Sequence, residues 1–162
     1  MTLEVSRWVA YWPVPFTEEM AKARIKASRA LAYAGDALPF GVVEKSSSAF
    51  IGWAMLDRDR RDCRRGLFGY WLGEKYHGNG YMRELAGVVI DAGFRLLDLE
   101  VIEAGAQPGN TASFAIMRGC GMNPSRAGMV YAPARQRDEF CQFYEVQRRG
   151  LDLRCHLGKD VG

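Results

Sequence analysis

The sequence predicts an α/β domain, and three observations carry that reading. From Gly69 to Leu97 a strand-like stretch runs into a glycine-broken turn and then a long apolar-periodic segment. Ahead of it, Leu38 to Lys45 and Ala49 to Asp57 read as two strands joined by the turn Ser46-Ser47-Ser48. After it, Leu99 to Ala106 reads as a strand, and a short helix follows from Thr111. Ala127 to Ala134 and Glu139 to Gln147 then form an antiparallel pair.

The elements follow in order. Residues 1 to 16 are aromatic and end in Trp12-Pro13-Val14-Pro15-Phe16, where two prolines block a regular helix. Thr17 caps the next helix, Glu18 and Glu19 suit its positive end, and Met20, Ala23, Ala27 and Leu31 supply its apolar side up to Gly35. The strand Gly66 to Leu72 leads into the glycine turn. In the long helix from Tyr81, apolar residues recur at Met82, Leu85, Val88, Val89, Ala92 and Leu96, with Arg83, Gly87, Asp91 and Arg95 opposite. The short helix from Thr111 ends at Gly119 and Gly121. At 162 residues the chain is one domain with a sizeable core, with residues 1–7 and 151–162 expected as loose ends.

Composition narrows the function classes. The net charge of +3 does not argue for nucleic acid, and Arg58 to Arg65 interleaves acids with bases as a solvated loop does. No stretch approaches the roughly 20 apolar residues of a membrane span. The start, Met1-Thr2-Leu3-Glu4, lacks a basic and apolar leader. Cys63, Cys120, Cys141 and Cys155 are irregularly spaced, and His77 and His156 are the two histidines. A metal site or disulfide framework is therefore not expected, and reduced cytoplasmic thiols are.

A glycine turn feeding a helix leaves the first N–H groups unpaired at the positive end of the helix dipole, a geometry that binds phosphate. Gly78 and Gly80 keep side chains out of the way. The plainer reading of Asn79-Gly80 as a hairpin turn fails because the segment that follows is helical. A dinucleotide G-x-G-x-x-G motif would need glycine where Arg83 stands, and the Gly-Lys-Ser/Thr of a Walker loop is absent.

The run Lys75-Tyr76-His77-Gly78-Asn79-Gly80 instead resembles the acyl-CoA loop R/Q-x-x-G-x-G/A of the GNAT N-acetyltransferases, with lysine at the first position as a departure. The flanking Tyr70-Trp71-Leu72-Gly73, the Gly80-Tyr81-Met82-Arg83-Glu84 segment, and Gly109-Asn110-Thr111-Ala112-Ser113 followed by Gly119-Cys120-Gly121-Met122 sharpen the match. Together they resemble the branch of the ribosomal-protein N-terminal acetyltransferases, over about residues 8 to 150.

The resemblance implies an α+β fold with a mixed, mostly antiparallel sheet flanked by helices. It also implies acetyl transfer from acetyl-CoA, as co-substrate and without a metal, to a primary amine by direct attack in a ternary complex. The amine (a protein N-terminus, a polyamine or a small molecule) is the expected partner, with no nucleic acid or membrane. Members of the family begin with a strand and a helix ahead of the segment matching Trp8 to Ile25, so here the start lies late or the first strand is missing. The bare edge this leaves on Leu38 to Lys45 leads to the expectation of a homodimer.

By the same resemblance, Trp71, Leu72, Lys75, Tyr76, His77, Gly78, Asn79, Gly80, Tyr81, Met82 and Asn110 bind the co-substrate, and Ser113 sits near its sulfur. Glu103, on the strand whose end meets the loop, is the candidate proton relay, with an exposed strand carboxylate or an ion-pair partner as the plainer alternative. The stretch Val130-Tyr131-Ala132-Pro133 holds no carboxylate where some members place one, which favours the rival reading of a CoA-binding module without catalysis. Trp8, Tyr11, Trp12 and Phe16 are candidates for an acceptor wall or for core.

Overall fold

Six strands make one sheet, and most of it grows from neighbouring hairpins. In the computed structural model, which describes residues 2–148, β1 (Ala37–Val43), β2 (Phe50–Arg58) and β3 (Arg65–Leu72) are consecutive antiparallel strands. On the other side β4 (Val101–Ala106) pairs antiparallel with β6 (Arg137–Gln147), which pairs with β5 (Asn123–Ala132). The order β1-β2-β3-β4-β6-β5 is closed in the middle by a parallel pair, β3 with β4. That pair is registered only at Arg65, Gly66 and Leu67 against Val101, Ile102 and Glu103, after which the strands diverge into a V.

Two helices cover one face. α3 (Tyr81–Leu96) and α4 (Thr111–Gly119) bury a core of Leu56, Phe68, Ala86, Val89, Ile90, Leu99, Ile102, Phe114 and Met117 against the sheet. The buried stripe of α3 is Met82, Ala86, Val89, Ile90 and Gly93, whereas Val88 and Leu96 are 63% and 70% exposed. The expected stripe is thus rotated by close packing. A Cβ on Gly93 would stand 2.1 Å from Leu56 Cδ2, so the helix meets the sheet through its small residues rather than its branched ones.

α2 (Glu18–Tyr33) packs on β1 across the opposite face. Thr17 caps it by accepting from Met20 N–H at 3.3 Å, and the positive φ of Gly35 ends it with Asp36 N–H donating to Leu31 O. Its inward positions are Ala21, Arg24, Ser28 and Leu31, not the apolar set expected, and Met20 and Ile25 face solvent. An inward arginine on a lightly buried helix is a local cost that the site below accounts for.

Residues 3–6 are not a loose end. They form a short helix α1 (Leu3–Ser6) with Val5 buried, and Arg135 of the β5–β6 turn donates to Ser6 O and Val9 O at 2.8 and 3.1 Å. The tail Leu151 to Gly162 lies outside the described residues. Among the described residues no strand pairs with the outer edge of β1.

Candidate active site

The V between β3 and β4 is where the expected residues meet. Beyond Leu67, β3 keeps its bonds to β2 and has a free edge toward β4, while Ala104 to Ala106 of β4 bond only to β6. Two rows of backbone N–H and C=O groups therefore line a slot that an extended, amide-bearing chain can pair with. Trp71 and Leu72 stand at its mouth on β3.

The loop after β3 makes a short 3₁₀ turn, Glu74–Tyr76, and then reaches α3 through Gly78 and Gly80 at φ +77° and +80°. Only glycine takes such angles without strain. A Cβ on either would meet no protein atom within 4 Å, so the space they face is open. Among the described residues, the N–H groups of Gly78, Asn79, Gly80, Tyr81, Met82 and Arg83 donate to no protein acceptor, and Glu84 N–H is the first paired one, to Gly80 O at 3.0 Å. This cluster at the start of a 16-residue helix is a ready anion cradle.

Side chains shape the loop more than they line it. His77 Nε2–H donates to Leu72 O at 2.9 Å and fastens the loop to the end of β3, which fixes the tautomer and leaves that nitrogen unable to act as a base. Asn79 Nδ2 donates to His77 O at 3.1 Å. Tyr81 O–H donates to Glu44 Oε1 at 2.5 Å, which raises the tyrosine pKa, while the Ser47 hydroxyl and then Tyr81 hold the Glu44 carboxyl below its ordinary value. Lys75 Nζ lies 4.8 Å over the Tyr76 ring. Met82 is buried with Ile51 and Leu72 beneath the loop, which makes its side chain a support and leaves its N–H for binding.

α4 begins on the far side of the V. Asn110 Oδ1 accepts from Ser113 N–H at 3.2 Å, so the asparagine oxygen is the helix cap and the Ser113 hydroxyl takes no part in it. Tyr70 of β3, passed over in the sequence, reaches the same turn, its O–H donating to Ser113 O at 3.4 Å. Burial pushes its pKa up to about 12, so it keeps its proton at neutral pH. It could have been found as the residue whose side chain alternates with Trp71 on the strand before the loop.

Glu103 is buried rather than exposed and stands in an ion pair. It is 3% exposed, and its carboxylate accepts from Arg126 Nε and Nη2 at 2.9 and 2.5 Å, with Arg65 Nη2 at 3.7 Å. Each oxygen accepts from a guanidinium, and the group is closed off from solvent. A relay through Glu103 would have to displace one of these guanidinium contacts.

On the face that α2 covers, the aromatic residues form a cluster rather than a loose wall. Trp12 packs against Phe16, Trp71 and Trp53 at centroid distances of 4.9, 5.0 and 6.1 Å. Trp71 Nε1–H is buried there with no acceptor among the described residues. Trp8 lies apart, over Gly109. No group of three or more potential metal ligands occurs among the described residues, and no helix there is long and apolar enough to cross a membrane.

Comparison with known proteins agrees with this architecture. The family described as Acetyltransferase (GNAT) domain matches residues 2–123. The N-acetyltransferase p20 of Bacillus licheniformis, itself uncharacterised, is 32% identical over 104 residues, 64% of this chain and 58% of that protein. The chain thus spans little more than half the length of this curated relative. The ribosomal-protein-S5-alanine acetyltransferase of Vibrio fischeri superposes with a TM-score of 0.71 at 27% identity, covering 82% of this chain and 73% of that one. Mycobacterium smegmatis RimJ, solved in complex with CoA-disulfide, shares the fold with a TM-score of 0.74 at 20% identity, covering 89% and 70%. A strand pair that parts into a V, a glycine cradle at its mouth and a family match over most of the chain lead to one conclusion: this protein belongs to the GNAT acetyltransferase family.

Proposed function

We propose that this protein transfers acetyl from acetyl-CoA to a primary amine by direct attack in a ternary complex. The observation that carries the proposal is the run of six unpaired N–H groups, residues 78 to 83, wrapped around two left-handed glycines at a helix N-terminus beside the open V. That cradle suits a pyrophosphate, and the free strand edges suit the amide-bearing arm of CoA. The residues fit the co-substrate without a side-chain clamp, which is why Lys75 serves in place of the family's arginine or glutamine.

The thioester arrives activated, so the protein's tasks are few. Free N–H groups on the β3 edge can donate to the developing oxyanion. The Ser113 hydroxyl can donate toward a departing thiolate, and the protonated Tyr70 phenol holds the turn that carries it. His77 acts as a positioning residue that holds the loop on Leu72. The acceptor enters from the α2 face, where the cluster of Trp12, Trp53 and Trp71 offers an apolar wall with one unused N–H donor. Likeness to a ribosomal-protein acetyltransferase makes a protein N-terminus the first acceptor class to assay, with polyamines and small amines beside it. Glu103's ion pair is the observation that favours the rival, a binding module without turnover, and the release of free thiol with an amine panel decides between them.

The binding claim is tested by matched glycine variants. Gly80 and Gly35 share nearly the same φ, +80° and +76°, and neither Cβ would clash. Alanine at either position should cost about 1–2 kcal/mol of stability through the left-handed backbone. Only Gly80→Ala should also lose acetyl-CoA affinity in calorimetry, by about tenfold or more. Equal affinity in the two folded variants would remove the cradle from the mechanism.

A further inference from the structure

Two carboxyl groups stand in one row of the sheet on the α2 face. Asp57 of β2 lies opposite Leu67 of β3, and Leu67 pairs with Glu103 of β4. Leu67 is also the last β3 residue paired with β4, so this row marks the point of the V. Here the face is open: Leu67 is 42% exposed, and a Cβ on Gly69 would meet nothing within 4 Å. With strands about 4.8 Å apart, the backbones of Asp57 and Glu103 stand roughly 10 Å from each other. Leu67 stands between them, so an ammonium that reaches Asp57 does so from the open face above Leu67 and Gly69.

The two carboxyls are not equivalent. Glu103 is filled by Arg126 and Arg65. Asp57 has no cation within ion-pair distance and no hydrogen-bond donor among the described residues, although burial raises its pKa. The opposing charge nearest in effect is Arg24, from the inward side of α2. Its guanidinium is engaged elsewhere, donating to Tyr11 O at 2.9 Å and lying 5.0 Å over the Trp12 ring. The groups that flank Asp57 directly carry no charge: Ala37 opposite it on β1, Leu67 on β3, and Ser28 of α2 bonded to Met55 two residues away; the charges farther along the row are Glu103 with Arg65 and Arg126. A half-buried carboxylate kept from its arginine is an expensive arrangement for packing alone.

We propose that Asp57 is the group that receives the acceptor, holding its ammonium over Leu67 and Gly69 and taking its proton. The inference rests on the acetyltransferase reading above. An N–H bond of R-NH3+ breaks and the Asp57 carboxylate becomes a carboxylic acid. The neutral amine then attacks the thioester carbonyl, a C–N bond forms and the C–S bond breaks. The remaining extra proton passes from nitrogen to the CoA thiolate, and Asp57 returns its proton to water. Arg24 is a positioning residue whose charge opposes the rise that burial gives the Asp57 pKa.

The test uses the full chain with acetyl-CoA and n-butylamine, a primary amine common to every acceptor class considered. Asp57→Asn should bind acetyl-CoA as the wild type does in calorimetry, while kcat/KM for n-butylamine falls by about a hundredfold. The acid limb of the wild-type pH profile should vanish, leaving a rate that climbs with free amine toward about pH 10. Arg24→Gln should shift that limb to higher pH, because the charge it removes lowers the Asp57 pKa. Asp91→Asn, an exposed carboxyl on α3, should leave both readouts alone. In the CoA-saturated protein, the 13C carboxyl signal of Asp57 should move on titration with n-butylamine. Asp57→Asn within about twofold of wild type with the acid limb intact overturns the proposal. So does an unmoved carboxyl signal, including in a protein that does not turn n-butylamine over. Failure of the wild type to bind acetyl-CoA sinks the transferase reading instead.

Discussion

Asn110 and Ser113 sit three residues apart and divide two jobs that the spacing alone leaves joined. The cap oxygen is Asn110 Oδ1, and Ser113 contributes only its backbone N–H to that bond. Asn110→Ala should therefore cost about 1 kcal/mol in denaturant unfolding. Ser113→Ala keeps the cap, so it should leave stability unchanged and lower turnover by about ten- to a thousandfold at constant acetyl-CoA affinity. The reverse pattern would return the hydroxyl to a structural role. Glu103 and Asp57 mark the limit of reading residues in sequence. A carboxylate on the right strand was visible at 103, but its partner Arg126 is 23 positions away and reaches across β6. Asp57 read as the end of a strand, because its isolation is made by register and by Arg24 turning to Tyr11.

At the scale of elements, the N-terminal segment is held by the β5–β6 turn. Ala134 N–H donates to Ala10 O at 3.0 Å, and Arg135 bridges Ser6 O and Val9 O to Glu139, with Nε 2.9 Å from Oε1. Arg137 and Arg135 hold the Glu139 carboxyl below its usual range. A depressed carboxyl stabilises the fold above the ordinary value of about 4.3, and that contribution is lost as pH falls through the lowered one. Acidification below about pH 4 should thus loosen residues 6–10 before the sheet. Arg135→Ala should reproduce the effect at neutral pH, with amide exchange in that segment faster by about tenfold and α3 unaffected. Uniform exchange across both regions would show that the clamp does not act locally. The short helix Leu3–Ser6 escaped the sequence because one turn carries no periodicity, and β5 began earlier than expected because the bulge at Pro124–Arg126 hides its alternation. On α2 an apolar count pointed to the wrong side, since the inward positions include Arg24 and Ser28. The loop from Lys75 to Met82 was legible because glycine spacing and helix start are both local signals.

At the largest scale, the order of the sheet among the described residues leaves β1 at an open edge, seven residues long and interrupted by Pro39, which an edge strand tolerates. Such an edge invites a second chain. The protein is expected to self-associate through it, with alternate β1 amides becoming protected as concentration rises. A monomer by light scattering at every concentration, with those amides exchanging freely, would count against this. The other feature at this scale is the three-residue parallel pairing that joins two antiparallel halves, β1-β2-β3 and β4-β6-β5. Each half closes through its own hairpin contacts, and a single short seam couples them across the sheet, backed by the core beneath α3 and α4. In folding terms the seam is where the two halves would part first, held otherwise by the core they share. A co-substrate lying along that seam bonds to both halves at once. Occupancy would then govern how sharply the protein melts as well as how high.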